Sequence, residues 1–238
     1  MSTTPESAPL NFRYTFAFDD DHQVVIDVNL DPVTLAYIPP AGQSPPDWAR
    51  FDTLPCEQCT GVQEKSDYCL VAKNIAPVVD LFKDLSSYQT ADVTVETRER
   101  TISRKQVSTQ EALSSLMGLI MVTSGCEDLD RLRPMVSLHL PFASIAETTY
   151  RAVSTYLLAQ YFRYKHGLEP DWDLKSLVET YRKIKVINAS LCQRLRMASN
   201  QDANLNAVII LDTFAQMLPD SIEDDMEQYA YLFTQYLD

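Results

Sequence analysis

Glycine is scarce: the chain has five in 238 residues. That leaves no material for a glycine-rich phosphate cradle, and a nucleotide fold relying on close backbone approach is hard to build. The GxSxG elbow of serine hydrolases and the HExxH helix of zinc proteases are also missing. Positive charge is short as well, with 20 Lys and Arg against 33 Asp and Glu, for a net −13. Such a field excludes non-specific attachment to nucleic acid or to an anionic membrane, and it favours solubility. No stretch reaches the roughly 18 to 20 uninterrupted apolar residues of a membrane span, and the N-terminus lacks the basic and apolar regions of a signal peptide. The expectation is a soluble cytoplasmic protein.

What the chain does have is a 45% hydrophobic composition, enough to bury a substantial core. Residues 1–9 read as a frayed polar tail. From Phe12 the aromatics Phe12, Tyr14, Phe16 and Phe18 fall at every second position, which predicts a half-buried strand. Asp19 to His22 turns the chain into Val24, Ile26, Val28 and Leu30, a second strand. Val33 to Ile38 predicts a third. Residues 39–70 follow with five prolines, two glycines and three cysteines and no period, an ordered loop that something must hold together. A short helix is expected over Asn74 to Leu85, capped by Asn74, and then a polar hairpin from Val93 to Val107. Its basic residues Arg98, Arg100, Arg104 and Lys105 read as a solvated strand face.

Helical signals dominate beyond residue 107. Ser108 with Glu111 and Ser144 with Glu147 both read as capping boxes, the first opening an apolar helix to Val122 and the second an aromatic-rich helix closed by Gly167. Tyr150, Tyr156, Tyr161 and Tyr164 on that second helix are expected in the core or an interface. Leu174 to Ala198 is amphipathic, with Arg182, Lys183, Lys185, Arg194 and Arg196 assigned to its outer face. Asn204 to Leu218, closed by Pro219, and an acidic Asp220 to Leu237 complete the helices. Strands followed by helices predict an α+β fold: an antiparallel sheet of about five strands, then about four to five helices. Residues 10–107 form a β-rich half with the cysteine loop and 108–238 a helical half, integrated as one domain.

Cysteine supplies the clearest chemistry. In a reducing compartment five cysteines point to metal ligation, redox use or plain packing rather than disulfides. Cys56 and Cys59 have the spacing by which one tetrahedral cation takes two sulfurs, and Cys69 lies near a helix start, where the dipole favours a thiolate. A closed site needs a fourth ligand. Cys126, after the Ser124-Gly125 helix stop, is preferred, with His139 the alternative. Zinc is the expected ion; an iron–sulfur cluster would use the same four thiolates, and ordinary reduced thiols with no cofactor are the bland alternative. Cys192 reads as core.

A second group consists of polar residues where apolar ones would be cheaper: Arg131, Arg133, His139, Glu147, Arg151, Asp202 and Asn206. One reading is a pocket for a small anionic ligand with Arg133 and Arg151 as charge partners, His139 as donor or base, and Glu147 and Asn206 beside them. The other is a structural network stapling residues 125–143 to the helices, with Asp202 capping its helix.

The segments CEQC with YCLVAKN, SLMGLIMVTSGCEDLDRLRPM, HLPFASIAETTYRAVSTYLLAQYFRYKHG and DANLNAVIILD together resemble a family of uncharacterised bacterial proteins. That resemblance implies a single integral domain and carries no activity, cofactor or partner. The functional expectation is a non-enzymatic binding or regulatory protein with a structural metal–thiolate site, whose partner is another protein or a small anionic ligand. A thiol or redox enzyme cycling Cys56 or Cys59 is the alternative.

Overall fold

The computed structural model describes residues 8–19, 22–59, 66–224 and 226–237. Residues 1–7, Asp20, Asp21, residues 60–65, Asp225 and Asp238 lie outside the described residues, and with them most of the expected polar tail. Strands β1 (Leu10–Ala17), β2 (Gln23–Leu30), β3 (Tyr37–Ile38), β4 (Thr90–Glu96) and β5 (Thr101–Ser108) form one antiparallel sheet in the order β3-β2-β1-β4-β5. The alternation in β1 produces its two faces. Phe12, Tyr14 and Phe16 are buried with Val24, Val28, Val93 and Val95, while Arg13 pairs with Asp27 at 2.9 Å on the open polar face.

The helices are α1 (Leu70–Phe82), α2 (Thr109–Thr123), α3 (Glu127–Asp130), α4 (Ile145–Lys165), α5 (Lys175–Ala198), α6 (Ala203–Glu223) and α7 (Glu227–Ala230). Helix α2 packs against β4 and β5, Phe82 of α1 meets Phe16 of β1, and α5 and α6 pack in turn on α1 and α2, respectively. One continuous set of buried side chains runs from β1 to α6. The expected α+β architecture is therefore present, with α2, α4, α5 and α6 as the long helices.

Several local expectations are corrected. The third strand shrinks to Tyr37–Ile38 because the Asp31 carboxylate accepts from the Val33 and Thr34 amides at 3.0 and 2.7 Å, winding residues 31–36 into a turn. The first helix begins at Leu70 rather than Asn74, with Cys69 at its N-cap. Asn74 is buried inside it, and Pro77 sits in its interior. Ser108 precedes α2 but makes no side-chain cap bond; the Thr109 and Gln110 amides donate to Gln89 O and Ser87 O at 2.7 and 3.3 Å instead, and Glu111 pairs with Arg104 rather than completing a box. The Ser144–Glu147 box does form, with Glu147 N donating to Ser144 Oγ at 3.2 Å and Ser144 N to Glu147 Oε2 at 2.8 Å. Pro219 does not close α6, which runs on to Glu223 because Leu218 and Ile222 keep their face buried. The last acidic helix is broken instead: Met226 adopts φ 55°, and only α7 and a 3₁₀ turn at Tyr231–Tyr236 follow.

Candidate functional site

Two cavities flank α5, on neighbouring faces of the helix. The smaller, about 30 Å³, is lined by Cys56, Cys59, Cys69 and Cys126, with Ser190 and Arg194 of α5 beside them. The four sulfurs come from three local settings. Cys56 and Cys59 sit on one turn closed by Cys59 N donating to Cys56 O at 3.0 Å. Cys69 caps α1, and its amide donates to Ala49 O at 2.8 Å. Cys126 caps α3, just after Gly125 reverses the chain at φ 84°. His139, the alternative fourth ligand, lies elsewhere.

Arg194 dominates the surroundings of this cavity. It was assigned to the solvent face of its helix, yet it is 1% exposed. Its guanidinium donates to the carbonyls of Trp48, Arg50 (2.8 Å) and Leu54, so one fork satisfies three acceptors of the cysteine loop. Burying a cation this way is tolerable only because its donors are used. Its charge also favours the nearby Cys56 thiolate. The Cys59 thiol, hydrogen-bonded to Cys56, leads in lowering the Cys56 pKa to about 6, with the Gln58 amide and the Ser190 hydroxyl assisting. Cys59 is held protonated by the same bond and by the negative field of its neighbours. Burial pushes Cys126 up to about 11. Among the described residues, no group of three or more His, Cys, Asp or Glu is positioned to hold a metal ion as it stands. The four sulfurs surround the small cavity without closing on a single point. Cys192 is buried away from it.

The larger cavity, about 590 Å³, lies between α2, α4, α5, α6 and the 3₁₀ turn Arg133–Leu138. Its wall is mostly aliphatic, interrupted by Ser115, His139, Arg151, Tyr181 and Asn188. His139 Nε2 and Tyr14 Oη are 2.6 Å apart, and Tyr14 Oη is 3.0 Å from Ser115 Oγ. Burial, and then the Arg151 charge, lowers the His139 pKa to about 3, so the imidazole is neutral near pH 7. Arg151 is half-buried. It donates to Met135 O at 3.0 Å, and its Nε has no partner. Asn188 is 1% exposed, and neither amide atom has a partner. Each such orphan costs about 1–3 kcal/mol.

The remaining predicted polar residues separate from this group. Arg133 pairs with Asp130 and donates to Thr34 O at 3.2 Å, stapling the turn to the sheet. Glu147 is committed to its capping box, and Asn206 donates to Asp202 at 3.0 Å. Asp202 makes no cap bond and accepts instead from Ser87 N and Oγ at 2.8 and 2.9 Å. His139 and Arg151 are thus brought together, and Arg133, Glu147 and Asn206 are not. Tyr150, Tyr161 and Tyr164 are 41%, 47% and 63% exposed, outside any core. Arg194, Tyr14 and Asn188 were missed. For Arg194 a signal existed, since Ile187, Leu191 and Arg194 recur at helical spacing on one apolar stripe.

A family described as a domain of unknown function (DUF6901) matches residues 12–234. The chain belongs to this family. No curated protein and no solved structure matches it. Both cavities and all five cysteines fall within the span of the DUF6901 match. Among the described residues of this DUF6901 chain, no helix is long and apolar enough to cross a membrane.

Proposed function

We propose that the chain is a non-enzymatic binding or regulatory protein in which Cys56, Cys59, Cys69 and Cys126 hold one zinc ion. The supporting observation is that four cysteines from the loop, the α1 cap and the α3 cap line a single cavity of about 30 Å³. That is room for roughly one atom. A single ion suits the space better than a four-iron cluster. Zinc takes four thiolates tetrahedrally at about 2.3 Å, so binding would draw the sulfurs inward from their present spread. Arg194 offsets part of the negative charge that four thiolates carry around a divalent ion. Closure would cross-link the loop to the starts of α1 and α3, beside the Arg194 clamp on the same loop.

Elemental analysis of protein purified without added metal should find about one zinc per chain, with Cys126→Ser losing it and Cys192→Ala keeping it. Less than about 0.2 equivalents of zinc in the unaltered protein would sink the reading. A second reading has its own support. The Cys56 and Cys59 thiols are within hydrogen-bond reach, and both are partly accessible, the arrangement of a reversible dithiol. Metal-free protein whose Cys56 alkylates rapidly, and whose pair oxidises to a disulfide reversibly, would favour that thiol chemistry over the zinc knot.

A further inference from the structure

The larger cavity is independent of the cysteines, and its wall is specific enough to name what it takes. Its volume of about 590 Å³ falls within the range of small-molecule sites. Leucine, isoleucine, methionine and phenylalanine from α2, α5, α6 and the Arg133–Leu138 turn make most of the surface. Against that surface stand one cation, Arg151, one carboxylate, Glu111, and two amides, Gln110 and Asn188, of which Asn188 is the buried one. Arg151 is the only lysine or arginine among the described lining residues, and among the described residues no carboxylate forms a salt bridge with it: Glu147, one turn back, acts on it only through its charge, the one Arg151 hydrogen bond goes to the Met135 carbonyl, and the Arg151 Nε has no partner. The only carboxylate on the lining, Glu111, is already paired with Arg104.

Asn188 carries the point further. It lines the same cavity, is 1% exposed, and leaves both its amide nitrogen and its carbonyl oxygen unpaired. A leucine of similar size would fill that position without an unmet donor and acceptor. Packing alone therefore gives no reason for an asparagine there. His139 brings no charge to an anion, since its ring is held neutral, and its Nε2 is engaged with Tyr14.

We propose that this cavity binds an amphipathic monocarboxylate, an acyl chain lying along the aliphatic wall with its carboxylate on the Arg151 guanidinium and the Asn188 amide N–H. Arginine presents a fork of N–H donors to a carboxylate, and exclusion from water strengthens that contact. A hydroxyl or amide N–H beside the carboxylate would also satisfy the Asn188 oxygen. The zinc reading of the cysteines can fail without touching this site.

The test is calorimetric titration of the full chain with dodecanoate, dodecanol and acetate, below micelle-forming concentrations. Dodecanoate should bind one per chain. Dodecanol, with the same tail and no charge, should bind at least about tenfold more weakly, and acetate should give no measurable binding. Arg151→Met should erase the preference for acid over alcohol, and Asn188→Leu should weaken dodecanoate while leaving dodecanol unchanged or tighter. Equal binding of acid and alcohol by the unaltered protein would overturn the proposal, as would no binding of dodecanoate. Because that comparison needs no variant, it stands even if Arg151→Met fails to fold. An Arg151→Met protein that folds and keeps the acid preference would overturn it too.

Discussion

Two arginines are drawn in from solvent near α5, and they are used differently. Arg194 spends its fork on three carbonyls of the cysteine loop, and nothing about it awaits a partner. Arg151 holds one carbonyl, lies on the wall of a large, mostly apolar cavity and keeps an unpartnered Nε. The first has the geometry of a structural clamp, the second that of a binding group. What separates them is how fully the fold satisfies each charge, since both are removed from water to a substantial degree.

The sharpest way to break that comparison is to remove each cation in turn. Arg194→Met strands three carbonyls and frees the loop from α5, so it should cost about 3–5 kcal/mol, read as a lower urea midpoint. Arg151→Met strands only the Met135 carbonyl while also removing an under-used buried charge. Its stability without ligand should stay within about 1 kcal/mol of the parent. Equal losses for the two variants would mean that Arg151 is a clamp as well, and the contrast would collapse.

How much of this was legible in the sequence follows from the range of the interactions. The sheet was readable because a strand with one dry face must alternate, and Phe12, Tyr14 and Phe16 do. The four cysteines were readable as a group because few residue types carry that chemistry, although their meeting depends on loop and cap geometry. Arg194 was misassigned to the surface because its acceptors lie more than 100 residues away, at Trp48, Arg50 and Leu54. Periodicity reports a helix's apolar stripe; it does not report a distant carbonyl that makes an arginine welcome on that stripe. Of the core or interface expected for the tyrosines of α4, the core is excluded for Tyr150, Tyr161 and Tyr164, because an aromatic face is buried within a fold only if some other element of it arrives to cover that face. Asn188 was invisible for a further reason, since an unpartnered amide shows itself only when all its neighbours are in place.

His139 sharpens the comparison through pH. Its folded pKa of about 3 lies below the ordinary 6.5, first through burial and then through the Arg151 charge. Between these values the unfolded chain takes up a proton that the folded chain refuses. The contribution is therefore fully present above about pH 6.5 and is lost as pH falls, by about 1.4 kcal/mol per pH unit. His139→Gln should flatten the loss of stability measured by urea unfolding from about pH 7 to about pH 4. Arg151→Met, by removing the second cause, should flatten it partly, whereas Arg194→Met should leave the slope alone. An unchanged slope in His139→Gln would show that the imidazole is not held neutral beside the cavity.

The smallest effect distinguishes two helix starts that look alike in sequence. Ser144 caps α4 at the rim of the large cavity in a complete box with Glu147, whereas Ser108 makes no cap bond before α2, where the first amides donate to Gln89 O and Ser87 O and Glu111 pairs with Arg104. Ser144→Ala should therefore cost about 1 kcal/mol and Ser108→Ala only a few tenths. The Glu147 carboxyl is held below its ordinary pKa first by the Ser144 backbone amide and then by the Ser144 hydroxyl. This contribution is present above the ordinary pKa and fades as pH falls through the folded one, so the Ser144→Ala deficit should shrink in acid. If both alanine variants lose the same amount, the Ser108 side chain caps α2 in solution, and the contrast between the two helix starts disappears.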